Sequence, residues 1–309
     1  LCACYYTGAN TFTLGLQEEY DQWSQELRIV SPVGDTFEYI GGLFYQTSDL
    51  TFKDNFLVPQ GSALGGLSTS LFGYDNQRTF EQDADIWSVF IQGTWNISDR
   101  ARLTLGGRYT DESKSASRAI VTSTTGPNPD ITPLSIPALD LAENALRAEP
   151  HAISGDRDET AFTPLANFQF DINEDMMVYA TYPPGFKSGG FDVRSNASPD
   201  PSVGLPEAVT TALNTPANPV PASPVGVFEF EEEEATSYEL GAKMTMLDGA
   251  AELNVAVYRT DYEDLQVSIF DGGLGFNVGH ASEATVEGVE LHARWRAAAW
   301  FTLSFSASF

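Results

Sequence analysis

Few side chains in this 309-residue chain could do chemistry, and those few are oddly placed. The stretch YPPGFKSGGF (182–191) sets one ammonium, Lys187, beside Phe186 among prolines, glycines and aromatics, and Arg194 follows shortly after. With 16 basic residues against 43 acidic ones, cations are scarce here, which makes this pair, with Phe186 beside them, candidate contacts for an anionic ligand. The bland alternative is a bulged strand end with solvated charges, and the residue pattern alone favours it. The run FEFEEEE (228–234) offers oxygen ligands of the kind Ca²⁺ prefers, although a solvated acidic rim is the simpler reading.

Catalytic constellations are absent from the sequence. His151, His280 and His292 lie far apart without metal-ligand spacing, and there is no G-x-S-x-G elbow or P-loop. GGLGFNVG (272–279) lacks the helix that would give a glycine-rich loop its phosphate chemistry. No catalytic residue, metal site or cofactor is expected, and the chain does not read as an enzyme. A formal charge of −27 speaks against nucleic acid as a partner, because phosphate neutralisation needs Lys and Arg. Cys2 and Cys4, one residue apart, are poorly placed for a mutual disulfide.

The elements that must carry these residues are strands. In DIWSVFIQGTWNI (85–97) one parity holds Trp87, Val89, Ile91, Gly93, Trp95 and Ile97, while the other carries Ser88, Gln92, Thr94 and Asn96, with Phe90 the misfit. The same period of two recurs in RLTLGGRYT, SYELGAKMTM, VELHARWR and the closing FTLSFSASF. Ten strands are expected, near 23–31, 36–47, 84–97, 101–114, 158–171, 176–183, 234–247, 250–269, 283–296 and 300–309. Trp87 and Trp95 share a face about 27 Å apart along a strand at about 3.4 Å per residue, enough to mark both edges of an apolar band crossed at about 45°. Tyr109, Tyr182, Tyr238, Trp295 and Trp300 are further candidates for such aromatic edges.

Short connections (31–36, 98–101, 173–176, 247–250, 296–300) alternate with long polar ones at about 48–80, 115–157, 184–227 and 270–282. That asymmetry predicts an all-β, transmembrane antiparallel up-and-down barrel, with tight turns on one side of a membrane and long loops on the other. No basic segment followed by an apolar one opens the chain, and no apolar run of about 18 residues suggests a membrane helix. Leu1 is no initiator and the last strand stops in mid-pattern, so the sequence reads as a piece of a longer protein.

QELRIVSP (25–32), LTLGGRYTDESK (103–114), VYATYPPGFKSGGFD (178–192), EATSYELGAKMTMLDGAAELNVAVYRTDYEDLQV (234–267) and NVGHASEATVEGVELHARW (277–295) resemble successive barrel strands of TonB-dependent outer-membrane receptors. The resemblance covers nearly the whole chain in the family's order. It implies that residues 1–309 are part of a 22-stranded barrel whose plug domain and C-terminal strands lie outside this sequence. It further implies a Gram-negative outer-membrane location and TonB-dependent uptake of a scarce nutrient, with a ferric siderophore the commonest cargo. Oligosaccharide, cobalamin or haem uptake and a passive porin-type barrel are the alternatives. Implied partners are the TonB–ExbB–ExbD complex, reached through the plug, a small-molecule cargo, and outer-membrane lipid with lipopolysaccharide. Lys187, Arg194 and Phe186 are the ligand-binding candidates. Glu239, Gly241 and Lys243 are expected to face inward, with Gly241 admitting a neighbouring backbone, and Gly288 is expected to mark a bulge or bend.

Overall fold

A computed structural model describes residues 2–8, 12–34, 36–59, 73–125, 151–195, 228–270 and 276–309. The described elements are all strands: β1 (Cys2–Gly8), β2 (Phe12–Val30), β3 (Phe37–Val58), β4 (Gly73–Ser98), β5 (Ala101–Thr125), β6 (His151–Asn173), β7 (Met176–Tyr182), β8 (Gly185–Lys187), β9 (Gly190–Phe191), β10 (Glu229–Phe230), β11 (Glu233–Met246), β12 (Ala251–Phe270), β13 (Phe276–Ala298) and β14 (Phe301–Ser308). One 12-stranded antiparallel sheet runs in the order β1-β2-β3-β4-β5-β6-β7-β11-β12-β13-β14, with β8 also paired to β11. Each long strand pairs with its sequence neighbour, so the sheet is an up-and-down meander whose two edges, β1 and β14, stay apart.

All ten expected strands are present, but several run well past their expected ends. β3 continues to Val58, β5 to Thr125, and β6 begins at His151, so much of the stretches read as loops at 48–80 and 115–157 is paired strand. The reason is that hairpin pairing needs only a partner backbone; it does not stop where the apolar face stops. The remainder of those loops falls outside the described residues.

Side-chain alternation splits the sheet into two faces. We call inner the face on which residues 186–195 and 228–232 pack, and outer the other. On β4, Trp87, Val89, Ile91, Trp95 and Ile97 are exposed on the outer face, while Ser88 between them is 1 % exposed. The misfit Phe90 belongs to the inner face, where its ring lies across Gly42 of β3: a Cβ on Gly42 would stand 2.7 Å from Phe90 Cζ.

The outer face is zoned along each strand. On β4 it is apolar from Trp87 to Ile97, toward the short turns, and polar from Asp75 to Asp85, toward the long connections. β6 repeats this, with exposed Phe162, Phe168, Phe170 and Ile172 below Ser154, Asp156, Asp158 and Thr160. Aromatic rings meet at the upper border: Trp23 and Tyr45 have centroids 5.9 Å apart, Trp87 and Tyr109 5.7 Å, Tyr182 and Tyr238 5.3 Å. Phe37, paired with Trp95, marks the lower border together with Trp295 and Trp300.

Two glycine expectations are revised. Gly241 receives the ring of Tyr179, its register partner on β7, rather than a backbone, and Tyr179 thereby reaches Glu239 with a 2.6 Å hydrogen bond. Gly288 pairs in unbroken register with Tyr258; its lack of a side chain relieves crowding, since a Cβ there would stand 2.6 Å from the carbonyl oxygen of Phe309. At the tightest turn, Leu247, Asp248 and Gly249 all have positive φ, which puts Gly249, at +82°, in a conformation an L side chain would strain.

Candidate functional site

Pro183 and Pro184 carry no amide hydrogen, so β7 cannot pair through them. The strand recovers at once: β8 pairs with β11, Phe186 opposite Glu234 and Lys187 opposite Glu233. β7 and β8 are thus one strand with a proline interruption, the bulged extension that the sequence left open, rather than a release into a loop. The chain then turns inward at Gly189 and Gly190. A Cβ on Gly189 would lie 2.7 Å from Arg157 Cζ, so only glycine lets the backbone pass that guanidinium.

Beyond the turn, β9 pairs with β10, Phe191 opposite Glu229. This two-stranded strap lies on the inner face of the long strands. Phe191 and Phe228 stack at 5.0 Å, and Phe228 meets Phe80 of β4 edge-on at 6.3 Å. With Ala116 of β5 they form a buried cluster flanked by Leu50, Phe52, Ile153 and Val193. Gly155 of β6 makes room for the Phe191 ring.

Charge pins the strap around that cluster. Arg157 of β6 donates to Glu159 at 2.8 Å, Glu229 at 3.0 Å, Glu231 at 2.8 Å and Glu232 at 2.7 Å. These bonds, led by the one to Glu159, hold the guanidinium well above its ordinary pKa. The acidic run is therefore not simply a solvated rim: three of its carboxylates converge on one cation. Lys114 of β5 donates to Ser188 Oγ and to the Gly189 carbonyl, both at 2.7 Å. Asp192 is the hub of the strap's far end. Its Oδ1 accepts from the backbone N–H of Arg194 at 2.9 Å and Ser195 at 3.2 Å, and its Oδ2 accepts from Val278 N–H of β13 at 2.7 Å.

Beneath the strap lie two further guanidinium groups. Arg78 forms a buried ion pair with Asp54 and donates to the Arg194 carbonyl. Arg118, 1 % exposed, has its guanidinium 5.0 Å from the Phe228 ring centre. Burial, with Arg78 nearby, lowers its pKa to about 10, which leaves it fully charged at neutral pH.

The sequence candidates sit on this strap. Lys187 is solvent-facing, with Nζ 4.0 Å from Glu233, and the Glu233 carboxylate also accepts from the Gln266 N–H. Arg194 is exposed and donates to Ser268 Oγ at 3.0 Å, two residues farther along β12. Phe186 is half-buried between the two prolines and the glycine turn. Arg194 therefore anchors to β12 directly, whereas Lys187 reaches the same stretch only through Glu233 of β11. Sequence reading missed Arg78, Lys114, Arg118, Arg157 and Asp192. The signal for two of them was present: Glu112 and Lys114 hold the parity of the inner face up to the expected end of β5, and Ala116 and Arg118 continue it beyond.

An antiparallel meander with an apolar outer band, a polar inner face and an inward-folded strap defines the wall of a β-barrel. The chain belongs to the TonB-dependent receptor family: the family described as TonB dependent receptor-like, beta-barrel, matches residues 5–309. That family is one of transport receptors, not of enzymes. Among curated proteins, the pesticin receptor of Yersinia enterocolitica is 20 % identical over 291 residues, 93 % of this chain and 33 % of the relative. The chain thus spans about a third of that relative's length. Among solved structures, the ferric yersiniabactin uptake receptor FyuA from Yersinia pestis superposes with a TM-score of 0.69 at 18 % identity, over 99 % of this chain and 37 % of the other. The copper transporter OprC superposes with a TM-score of 0.50 at 10 % identity, over 99 % of this chain and 52 % of the other. At such identities the structural likeness speaks to the fold.

Proposed function

We propose that this chain is a section of the barrel domain of a Gram-negative outer-membrane receptor that imports a scarce nutrient by TonB-dependent transport, with a ferric siderophore as cargo. The observation that carries the reading is the gathering of Arg78, Lys114, Arg118 and Arg157, with Lys187 and Arg194, at the inner upper end of a wall whose formal charge is −27. Most of these cations hold the strap; Lys187 and Arg194 are the two whose side chains reach solvent, and they are the contacts offered to an anionic ferric complex, with Phe186 alongside. Energy for release would come from the TonB–ExbB–ExbD complex acting through a plug domain, and the apolar outer band would face membrane lipid with lipopolysaccharide beyond it.

Two experiments test this. A strain lacking the full-length gene should lose growth on at least one ferric chelate in a panel that also includes cobalamin, haem and oligosaccharides; undiminished growth on every ferric chelate removes the siderophore assignment. In the full-length receptor, joint exchange of Lys187 and Arg194 for Gln should weaken binding of that chelate by about ten-fold, as loss of charge-assisted contacts does. Unchanged affinity would return both residues to a purely structural role.

A further inference from the structure

His151 opens β6 on the inner face, beyond Asp156 and Asp158 and so above the apolar band. Its register partner is Ile120 of β5, 2 % exposed, and its ring meets Arg118 of that same strand: Arg118 Nη2 donates to His151 Nε2 at 3.1 Å. A guanidinium nitrogen can only donate, so the contact requires an imidazole whose Nε2 carries no proton. His151 is therefore neutral in this arrangement. Arg118 carries the contact onward to both limbs of the strap. Its Nη1 donates to the Asp192 carbonyl at 3.4 Å, just past β9, and its guanidinium lies 5.0 Å from the centre of the Phe228 ring, just before β10. Buried as it is, Arg118 cannot retreat into water.

The other described charged groups of this corner are already committed. Arg78 of β4 pairs with Asp54 of β3, and the Asp192 carboxylate of the strap accepts from the backbone N–H groups of Arg194, Ser195 and Val278. Arg157 and its carboxylates lie beyond Ile153 and Gly155 on β6. A proton added to His151 would thus set a second cation against a buried one. We propose that His151 is an acid-sensitive latch on the strap: neutral, it accepts from Arg118 and holds that guanidinium beneath Phe228 and Asp192; protonated, it repels Arg118 and the strap opens. The closed strap needs the neutral ring, whereas the open strap lets the ring titrate as in water, at about 6.5. Closure is therefore fully favoured above that value and is lost as pH falls through it, by at most about ten-fold per pH unit for one linked proton. Carboxylates ordinarily titrate at about 4, so a window from about pH 7.5 to about pH 5.5 acts on the imidazole and spares the clamp at Arg157. Lys187 and Arg194 ride on the strap, so the latch bears on cargo only through the uptake reading; the opening itself needs no cargo.

The test is amide hydrogen exchange on the full-length receptor in detergent, without cargo, corrected for the intrinsic pH dependence of exchange. Between about pH 7.5 and about pH 5.5, protection of residues 190–193 and 228–230 should fall by about ten-fold, while protection around Val89 stays constant. His151→Gln, which cannot titrate, should remove that pH dependence. His151→Lys, charged throughout, should leave the strap poorly protected at both pH values. A ring that only filled space would give the two variants the same protection. The proposal is overturned if the parent receptor shows the same strap protection at both pH values, or if either variant keeps the parent's fall. A failed growth assay would remove the uptake reading and leave these outcomes unchanged, and a strap indifferent to pH would leave the uptake reading standing.

Discussion

At the scale of single residues, Arg157 bears the largest electrostatic load. Its side chain is 10 % exposed and faces four carboxylates, of which Glu159 is as buried as itself. Arg157→Gln would leave those carboxylates in mutual repulsion around an uncharged group. Breaking a buried pair costs about 3–5 kcal/mol, and because Glu229, Glu231 and Glu232 are partly solvated, a local loss of about 2–3 kcal/mol is expected. Amide exchange should accelerate in residues 186–195 and 228–234 but not around Val89; equal protection in both variants would count against a charge-pinned strap. Asp49 gives a second residue-scale expectation, on the outer face above the apolar band. It pairs in register with Asp83, and a hydrogen bond between the two side chains raises the Asp49 pKa. The folded state therefore holds this proton more tightly than the unfolded chain does, so the pair gains stability as pH falls toward the raised value and loses it as pH rises through it. Asp49→Asn should stabilise the hairpin at neutral pH and flatten the pH dependence of unfolding between the ordinary carboxylate range and neutrality. An unchanged profile would show that the pair stays ionised and apart.

At the scale of elements, the period of two was readable wherever one face was apolar and the other polar, because that contrast is what hydropathy reports. Trp87 to Ile97 and Phe301 to Phe309 are of this kind. It failed at Phe90, an inner residue made apolar by its resting place on Gly42, and at 115–125 and 151–157, where Ser, Thr and Arg look like loop yet pair residue by residue. Arg118 opposite Ile153 and Lys114 opposite Arg157 are long-range facts that no local pattern carries. The strap was the least legible element, since its contacts join β9 to residues of β4, β5, β6 and β13. Lys187 and Arg194 could be singled out as rare cations, but the side chains that hold them in place could not. Glycine placement gives an element-scale test. Gly241→Ala would push the Tyr179 ring off β11, breaking its hydrogen bond to Glu239 and its contact with Lys243, whose Nζ lies 5.6 Å from the ring centre. Overpacking of this kind costs about 1–3 kcal/mol, read as a lower midpoint of urea unfolding. The double variant Gly241→Ala, Tyr179→Ala should recover part of that loss, and failure to recover any of it would assign the cost elsewhere.

At the scale of the whole molecule, zoning explains how a chain so rich in acid can still form a membrane wall. Among the described residues, carboxylates occupy the outer face only above the aromatic border: Asp21, Asp49 and Asp83 are register partners on adjacent strands, with Trp23, Tyr45 and Trp87 just below them. Below that border the outer residues of β4, β5 and β6 turn apolar together, although nothing in local strand pairing requires their transitions to coincide. A hydrocarbon layer does require it, because each strand crosses the same slab at the same depth. The cost of a charge on the outer face should therefore follow height rather than exposure. Ile91, 66 % exposed, is more open than many residues of a soluble surface, yet Ile91→Arg should destabilise the barrel by about 2–4 kcal/mol when refolding is measured in phospholipid vesicles. Ser117→Arg, equally outward on the next strand but above the border, should cost about 0–1 kcal/mol. In short-chain detergent the difference should shrink, because a micelle deforms around a charge more readily than a bilayer does. Equal costs at the two positions in vesicles would mean that lipid does not surround this band, and the membrane reading of the wall would fall with it.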